Sequence, residues 1–136
     1  MSGTVRLAEG IVEELESLAR AGLPNEVCGL GAGTDGTITR LFPLANTAAS
    51  PERYTVDPVE QLEAYRAMDD EGLEPITVYH SHPATPARPS AVDIAEAYDP
   101  DVVYLIVSLA EPVSVVRAWE IRDGRPQELI ITTTEV

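Results

Sequence analysis

The two histidines of this chain stand two residues apart, His80 and His82, directly after the apolar run Ile76-Thr77-Val78-Tyr79. Four β-prone residues in a row read as a strand, and on a strand residues i and i+2 point to the same side. The strand cannot run on far, because Pro83, Pro86 and Pro89 follow within one short stretch and proline removes ladder donors. Ser90-Ala91-Val92-Asp93 then reads as a helix start, with Ser90 as N-cap and an acid at the third helical position. The pattern requires a strand, a stiff loop and a returning helix, with two imidazoles side by side at the strand's C-terminal end.

The rest of the chain surrounds that unit with alternating elements. Val5–Leu7 reads as a short strand. Ile11, Val12, Leu15, Leu18 and Ala19 recur at helical spacing within Ala8–Leu23, where Gly22 and Pro24 form a stop. Val27–Gly33 and Thr37–Leu44 form a hairpin about Asp35-Gly36. Tyr54–Val56 reads as one more short strand. Pro58 opens a helix to about Asp70, and Ser90–Tyr98 reads as another. Val102–Leu109 is apolar enough for a strand buried on both faces. Val113–Ile121 and Leu129–Thr133 follow, with Asp123-Gly124 turning between them. No linker or repeat interrupts residues 1–136, so the expectation is a single α/β domain, an α+β mixed sheet flanked by helices.

Charge narrows the partners. Nine arginines, no lysine and 23 acidic residues give a net charge of −14. Such a chain is repelled by phosphate backbones, so neither nucleic acid nor an anionic membrane surface is expected as a partner. The acids are spread along the sequence, as on a surface kept hydrated in a salty cytoplasm. No apolar run approaches the ~20 residues of a membrane span, and MSGTVRLAEG lacks the basic and apolar regions of a secretory signal. A cytoplasmic location is therefore expected. The single cysteine, Cys28, excludes an internal disulfide framework.

Two imidazoles on one side of a strand end can share a metal. Asp93, in the first turn of the next helix, can return beside them. The set His80, His82 and Asp93 leaves a fourth position open, as in a catalytic zinc site. Plainer readings stand beside this one. Two histidines alone are a weak metal signal, Ser90 and Asp93 already make sense as a helix cap, and Cys28 suits a small core residue better than a ligand or nucleophile.

The residues carry a family resemblance. His80-Ser81-His82-Pro83, six residues, then Ser90-Ala91-Val92-Asp93 resembles the H-S/T-H-P…S-x-x-D signature of the JAMM (MPN+) zinc metalloproteases, and Pro24-Asn25-Glu26-Val27-Cys28-Gly29 resembles their upstream glutamate segment. The resemblance spans essentially the whole chain. It implies a cytidine-deaminase-like mixed sheet and one zinc per chain held by His80, His82 and Asp93. Glu26 would be the general base toward the zinc-bound water, and Ser90 the hydroxyl that steadies the oxyanion. The segment Asn46–Tyr54 through Asp57-Pro58, with His80–Asp93, is most similar to prokaryotic members that release cysteine from a sulfur-carrier protein. The implied partner is a ubiquitin-like carrier with a Gly-Gly tail, lying extended beside a sheet edge, and the implied role is in cysteine biosynthesis. Arg53 and Arg88 are the cations to watch near the cleft, with ordinary surface arginines as the favoured plainer reading. The alternatives are a general deconjugating isopeptidase for small ubiquitin-like modifiers and a metal-free MPN binding module. The zinc-deaminase pattern His-x-Glu with Pro-Cys-x-x-Cys is absent, which disfavours base deamination.

Overall fold

A computed structural model describes residues 3–134. In chain order the elements are β1 (Thr4–Ala8), α1 (Ile11–Ala21), β2 (Cys28–Thr34), β3 (Thr37–Leu44), α2 (Pro58–Asp70), β4 (Glu74–His82), α3 (Ala91–Ala95), β5 (Val103–Ser108), β6 (Val115–Arg122) and β7 (Arg125–Thr134). The mixed sheet predicted from sequence closes on itself in the order β1-β3-β2-β4-β5-β6-β7. Closure is thin at one seam. β1 lies parallel to β7 over five residue pairs but meets β3 only at Arg6/Thr37 and Leu7/Ile38. The β3 edge beyond Ile38 has no further strand partner on that side among the described residues.

Both tight hairpins turn on Asp-Gly. Asp35 and Gly36 have φ of 53° and 77°, Asp123 and Gly124 of 52° and 73°, the left-handed pair whose twist matches that of the flanking strands. The glycine-rich β2 has a packing reason. A Cβ on Gly29 would lie 2.3 Å from the Tyr79 hydroxyl, and one on Gly31 would lie 2.4 Å from the Thr77 methyl. β2 is thus small on the face where β4 is large.

The sheet has two differently occupied sides. Ile11, Leu15 and Ala19 of α1, one turn apart, are buried, and the first two join Leu7, Ile38, Leu41, Tyr79, Leu105 and Leu129 in the main core. On the other side Ala64 and Met68 of α2 pack on Leu30, Ala32 and Phe42. A third cluster joins Ala87, Tyr104, Ile106, Trp119 and Ile121, with Ile94 of α3 against it. Val78 touches the second and third clusters. By strand alternation His80 and His82 share its side, which places them between α2 and α3, away from α1.

Two expectations are corrected. Tyr54–Val56 forms no strand; only an isolated bridge joins Val56 to Asn46. The helix expected over Ser90–Tyr98 ends at Ala95. The helix has no fully buried residue to extend its packing, and Glu96 closes it with its N–H on the Val92 and Ile94 carbonyls.

Candidate metal centre

β4 pairs with β2 on one side and β5 on the other, so its C-terminal residues are held in the sheet's interior. His80 faces Cys28 and Ile106 across these ladders, and its side chain is 1 % exposed. The α3 turn brings Asp93 back to the same point. Nε2 of His80 and Nε2 of His82 are 3.1 Å apart, and each lies 3.0–3.1 Å from Asp93 Oδ2. These are the three residues predicted from sequence, converging through one atom each.

The donor chemistry fits a cation. The Pro86 carbonyl, 2.7 Å from His82 Nδ1, can only accept, so Nδ1 carries the proton and the Nε2 lone pair of neutral His82 faces the triangle. Three mutually adjacent electron-rich atoms have three edges, which two imidazole protons at most could fill. Zinc bonds of about 2.0–2.1 Å at tetrahedral angles separate ligand atoms by about 3.3 Å, near the edges observed here. Burial pushes the pKa of His80 down, toward the neutral ligand form. For His82 burial pulls the same way, but Asp93 and the Pro86 carbonyl outweigh it and hold its pKa up. Burial alone would raise Asp93. Its bonds to both histidines and to the Ser90 N–H hold it well below the usual carboxylate range.

The capping reading of Ser90 holds together with its place at the site. Ser90 Oγ accepts from the Asp93 N–H at 3.1 Å, and the Ser90 N–H donates to Asp93 Oδ2 at 2.8 Å. The hydroxyl proton is not used by the cap. Asp93 Oδ2 therefore meets both imidazoles and the start of its own helix.

Glu26 lies in the segment before β2, 4 % exposed, with Oε1 buried and unpartnered. Desolvation raises its pKa from 4.5 to about 7, moderated by His82, while Asp93 and Glu52 push it further up. Its backbone is fixed at both ends: its N–H donates to the Ser50 carbonyl at 2.9 Å, and its carbonyl accepts from Asn46 Nδ2 at 3.0 Å. Ser81, between the two histidines and on the opposite side of β4, ties the next residue. Its Oγ accepts from the Val27 N–H at 2.8 Å, and its own N–H donates to the Val27 carbonyl at 3.0 Å.

The sequence places Asn46 and Tyr54 in the segment that resembles the cysteine-releasing members, but it does not reveal that Asn46 and Ser81 hold Glu26 or that the Tyr54 ring stacks on His80, with centroids 4.8 Å apart. Asn46 also receives the N–H groups of Ala48 and Thr55 and donates to the Arg53 carbonyl. Its place in an unstructured polar stretch was the available signal. Cys28 is buried, its thiol pushed up to about 11 by desolvation and by Glu26, and behaves as the core residue expected. Arg53 pairs with Glu96 at 3.7 Å, and Arg88 lines a cavity of about 420 Å³ that touches none of the three ligating residues. A groove of about 430 Å³, lined by Leu30, Tyr54, Tyr65, Val78, Tyr98 and Tyr104, lies on the histidine side of the sheet.

Residues 8–122 match the prokaryotic homologs of the JAB domain. The chain belongs to this prokaryotic JAB family. Within the family it is 38 % identical over 128 residues to a CysO-cysteine peptidase of Mycobacterium tuberculosis, covering 92 % of this chain and 88 % of that protein. It is 38 % identical over 114 residues to a desampylase of Haloferax volcanii, covering 79 % and 82 %. A protein of Desulfitobacterium hafniense, solved in solution, superimposes with a TM-score of 0.89 at 43 % identity, covering 97 % of this chain and 94 % of that one. The JAB fold thus accounts for the mixed sheet and its few helices, and the converging His80, His82 and Asp93 form a group that could hold a metal ion.

Proposed function

We propose that this chain is a zinc metallopeptidase that hydrolyses the bond after the C-terminal Gly-Gly of a ubiquitin-like sulfur-carrier protein and releases cysteine. The observation that carries the reading is the buried triangle of His80, His82 and Asp93 donors, with the unpartnered carboxyl of Glu26 within electrostatic reach of His82 and Asp93. In this reading residues 1–136 act as one domain binding one ion. A zinc ion held there would supply Lewis acidity toward the scissile carbonyl and acidify water.

The side chains do the rest. Glu26 Oε1 accepts the proton of the attacking water and returns it to the leaving nitrogen. Burial raises the proton affinity of this carboxyl in the metal-free chain, which suits a group that takes up a proton and passes it on. Ser90, fixed by its cap, directs its hydroxyl proton at the developing oxyanion, a contribution of roughly 3 kcal/mol. Asn46 and Ser81 keep Glu26 in place through the backbone on either side of its side chain. The tyrosine-lined groove beside His80 and the open edge of β3 from Thr39 to Leu44 are the two surfaces along which an extended Gly-Gly tail would lie. Among the described residues no helix is long and apolar enough to cross a membrane, and a buried free thiol suits a reducing cytoplasm.

The peptidase name of the Mycobacterium relative supports cysteine as the leaving group. The Haloferax desampylase supports the second reading, removal of a ubiquitin-like modifier from a protein. Full retention of the metal-ligand set and of Glu26 speaks against a metal-free binding module. Mass spectrometry of a carrier–cysteine adduct incubated with zinc-loaded enzyme decides. Release of free cysteine is expected without ATP and without an acyl-enzyme. An intact adduct, with a carrier–lysine isopeptide cut in the same assay, would establish the second reading instead.

A further inference from the structure

Three consecutive carbonyls in the loop between β4 and α3 are each gripped by a side chain from a different strand. Ser108 Oγ of β5 donates to the Thr85 carbonyl at 2.6 Å. His82 Nδ1 of β4 donates to the Pro86 carbonyl at 2.7 Å. Trp119 Nε1 of β6 donates to the Ala87 carbonyl at 3.0 Å. The loop can do little to fix itself. Pro83, Pro86 and Pro89 carry no N–H, and the backbone bond closed within it runs from the Arg88 N–H to the Pro86 carbonyl. Its shape is imposed by Ser108 and Trp119, which are 3 % and 6 % exposed and sit in the sheet.

The middle carbonyl orients a ligand. A metal-bound imidazole is aimed by the acceptor of its other nitrogen, and for His82 that acceptor is the Pro86 carbonyl. His80 has no such partner, since its Nδ1 is buried without a hydrogen bond. Directional second bonding at this centre thus rests on His82, and the position of its acceptor depends on the anchors at the residues before and after.

We infer that Trp119 and Ser108 are positioning residues of the metal centre, holding the Pro86 carbonyl from both sides so that His82 presents Nε2 to the ion. The inference rests on the proposed metal-dependent reading. Neither residue hydrogen-bonds to the three donors, although Ser108 stands opposite His82 in the β4–β5 ladder. Trp119 also packs among Ala87, Tyr104, Ile106 and Ile121, so packing must be separated from the hydrogen bond.

The chain of residues 1–136, stripped of metal, serves as the test object. Wild type, Trp119→Phe, Ser108→Ala and Ile121→Val are titrated with zinc against a chromophoric chelator, and cobalt(II)-substituted samples are compared by their visible absorption. Trp119→Phe keeps an aromatic ring and loses the N–H. Ile121→Val thins the same cluster without touching a hydrogen bond. Zinc affinity is expected to fall about 10-fold in Trp119→Phe and in Ser108→Ala, at the lower end of the 10–100-fold seen for outer-shell partners, with a changed cobalt spectrum. Ile121→Val should stay within about 2-fold with an unchanged spectrum. Wild-type affinity and spectrum in both Trp119→Phe and Ser108→Ala would overturn the inference, as would an equal loss in Ile121→Val. Failure of the metal reading itself is distinct, because wild type would then bind no zinc.

Discussion

At the residue scale the informative group is Glu26, a carboxyl 4 % exposed with an unpartnered oxygen. A folded-state pKa raised from 4.5 to about 7 means that the folded chain holds this proton more tightly than the unfolded one. Stability from this group is therefore complete below about pH 4.5 and is lost as pH rises through about 7. In metal-free protein Glu26→Gln should match wild type closely at pH 4.5 and exceed it by roughly 3 kcal/mol at pH 8. Urea unfolding at the two pH values measures this, and a wild type more stable than Glu26→Gln at pH 8 would contradict the burial argument. With zinc present, Glu26→Gln should retain metal and lose about 10²–10⁴-fold in turnover, the range of a missing general base. His82→Ala, which removes both a donor and the bond to Pro86, should lose most of the zinc found by elemental analysis.

At the element scale the contrast is between what a motif states and what a fold supplies. The convergence of the three candidate donors was legible because strand alternation and a capped helix start act over a few residues. His80 and His82 share a side by the period of two, and the Ser90–Asp93 cap fixes the third donor. The Asp-Gly hairpins and the bounds of α2 were legible for the same local reason. The devices that hold Glu26 were not. Ser81 reaches Val27 across 54 positions, and Asn46 reaches Glu26 across 20. Serine and asparagine are common enough in polar stretches that only the strand register picks these two out. The helix beyond Ala95 and the strand at Tyr54 were overread, since both depend on neighbours that spacing does not reveal. Ser81→Ala is the test at this scale. It leaves the Val27 N–H without its acceptor, costing about 1–3 kcal/mol. Zinc stoichiometry should be unchanged while kcat falls, because the side chain faces away from the ligands and toward the segment carrying Glu26. Loss of metal together with activity would show that Ser81 supports the histidines instead.

At the scale of the whole molecule two electrostatic effects of opposite range act together. Net charge −14 on 136 residues makes the compact state repel itself, a long-range effect that salt screens, with a Debye length of about 30 Å at 0.01 M and about 3 Å at 1 M. The proposed metal centre is short-range. It joins the end of β4 to the start of α3 through side chains that are 1 %, 3 % and 8 % exposed, where salt penetrates little. Binding that stabilises only the folded state contributes about 4 kcal/mol at a free-ion concentration a thousand times Kd. For a domain of this size that is a Tm difference on the order of 10 °C. Thermal unfolding of zinc-loaded and chelated protein at 0.05 M and 1 M sodium chloride separates the two effects. Salt should raise Tm in both forms by relieving surface repulsion. The gap between loaded and chelated protein should persist at 1 M, because a buried tridentate site is not an exposed ion pair. Were the gap to close at 1 M salt, the ion would be acting as a diffuse counter-charge for an acidic surface, and the converging donors of His80, His82 and Asp93 would not be its site.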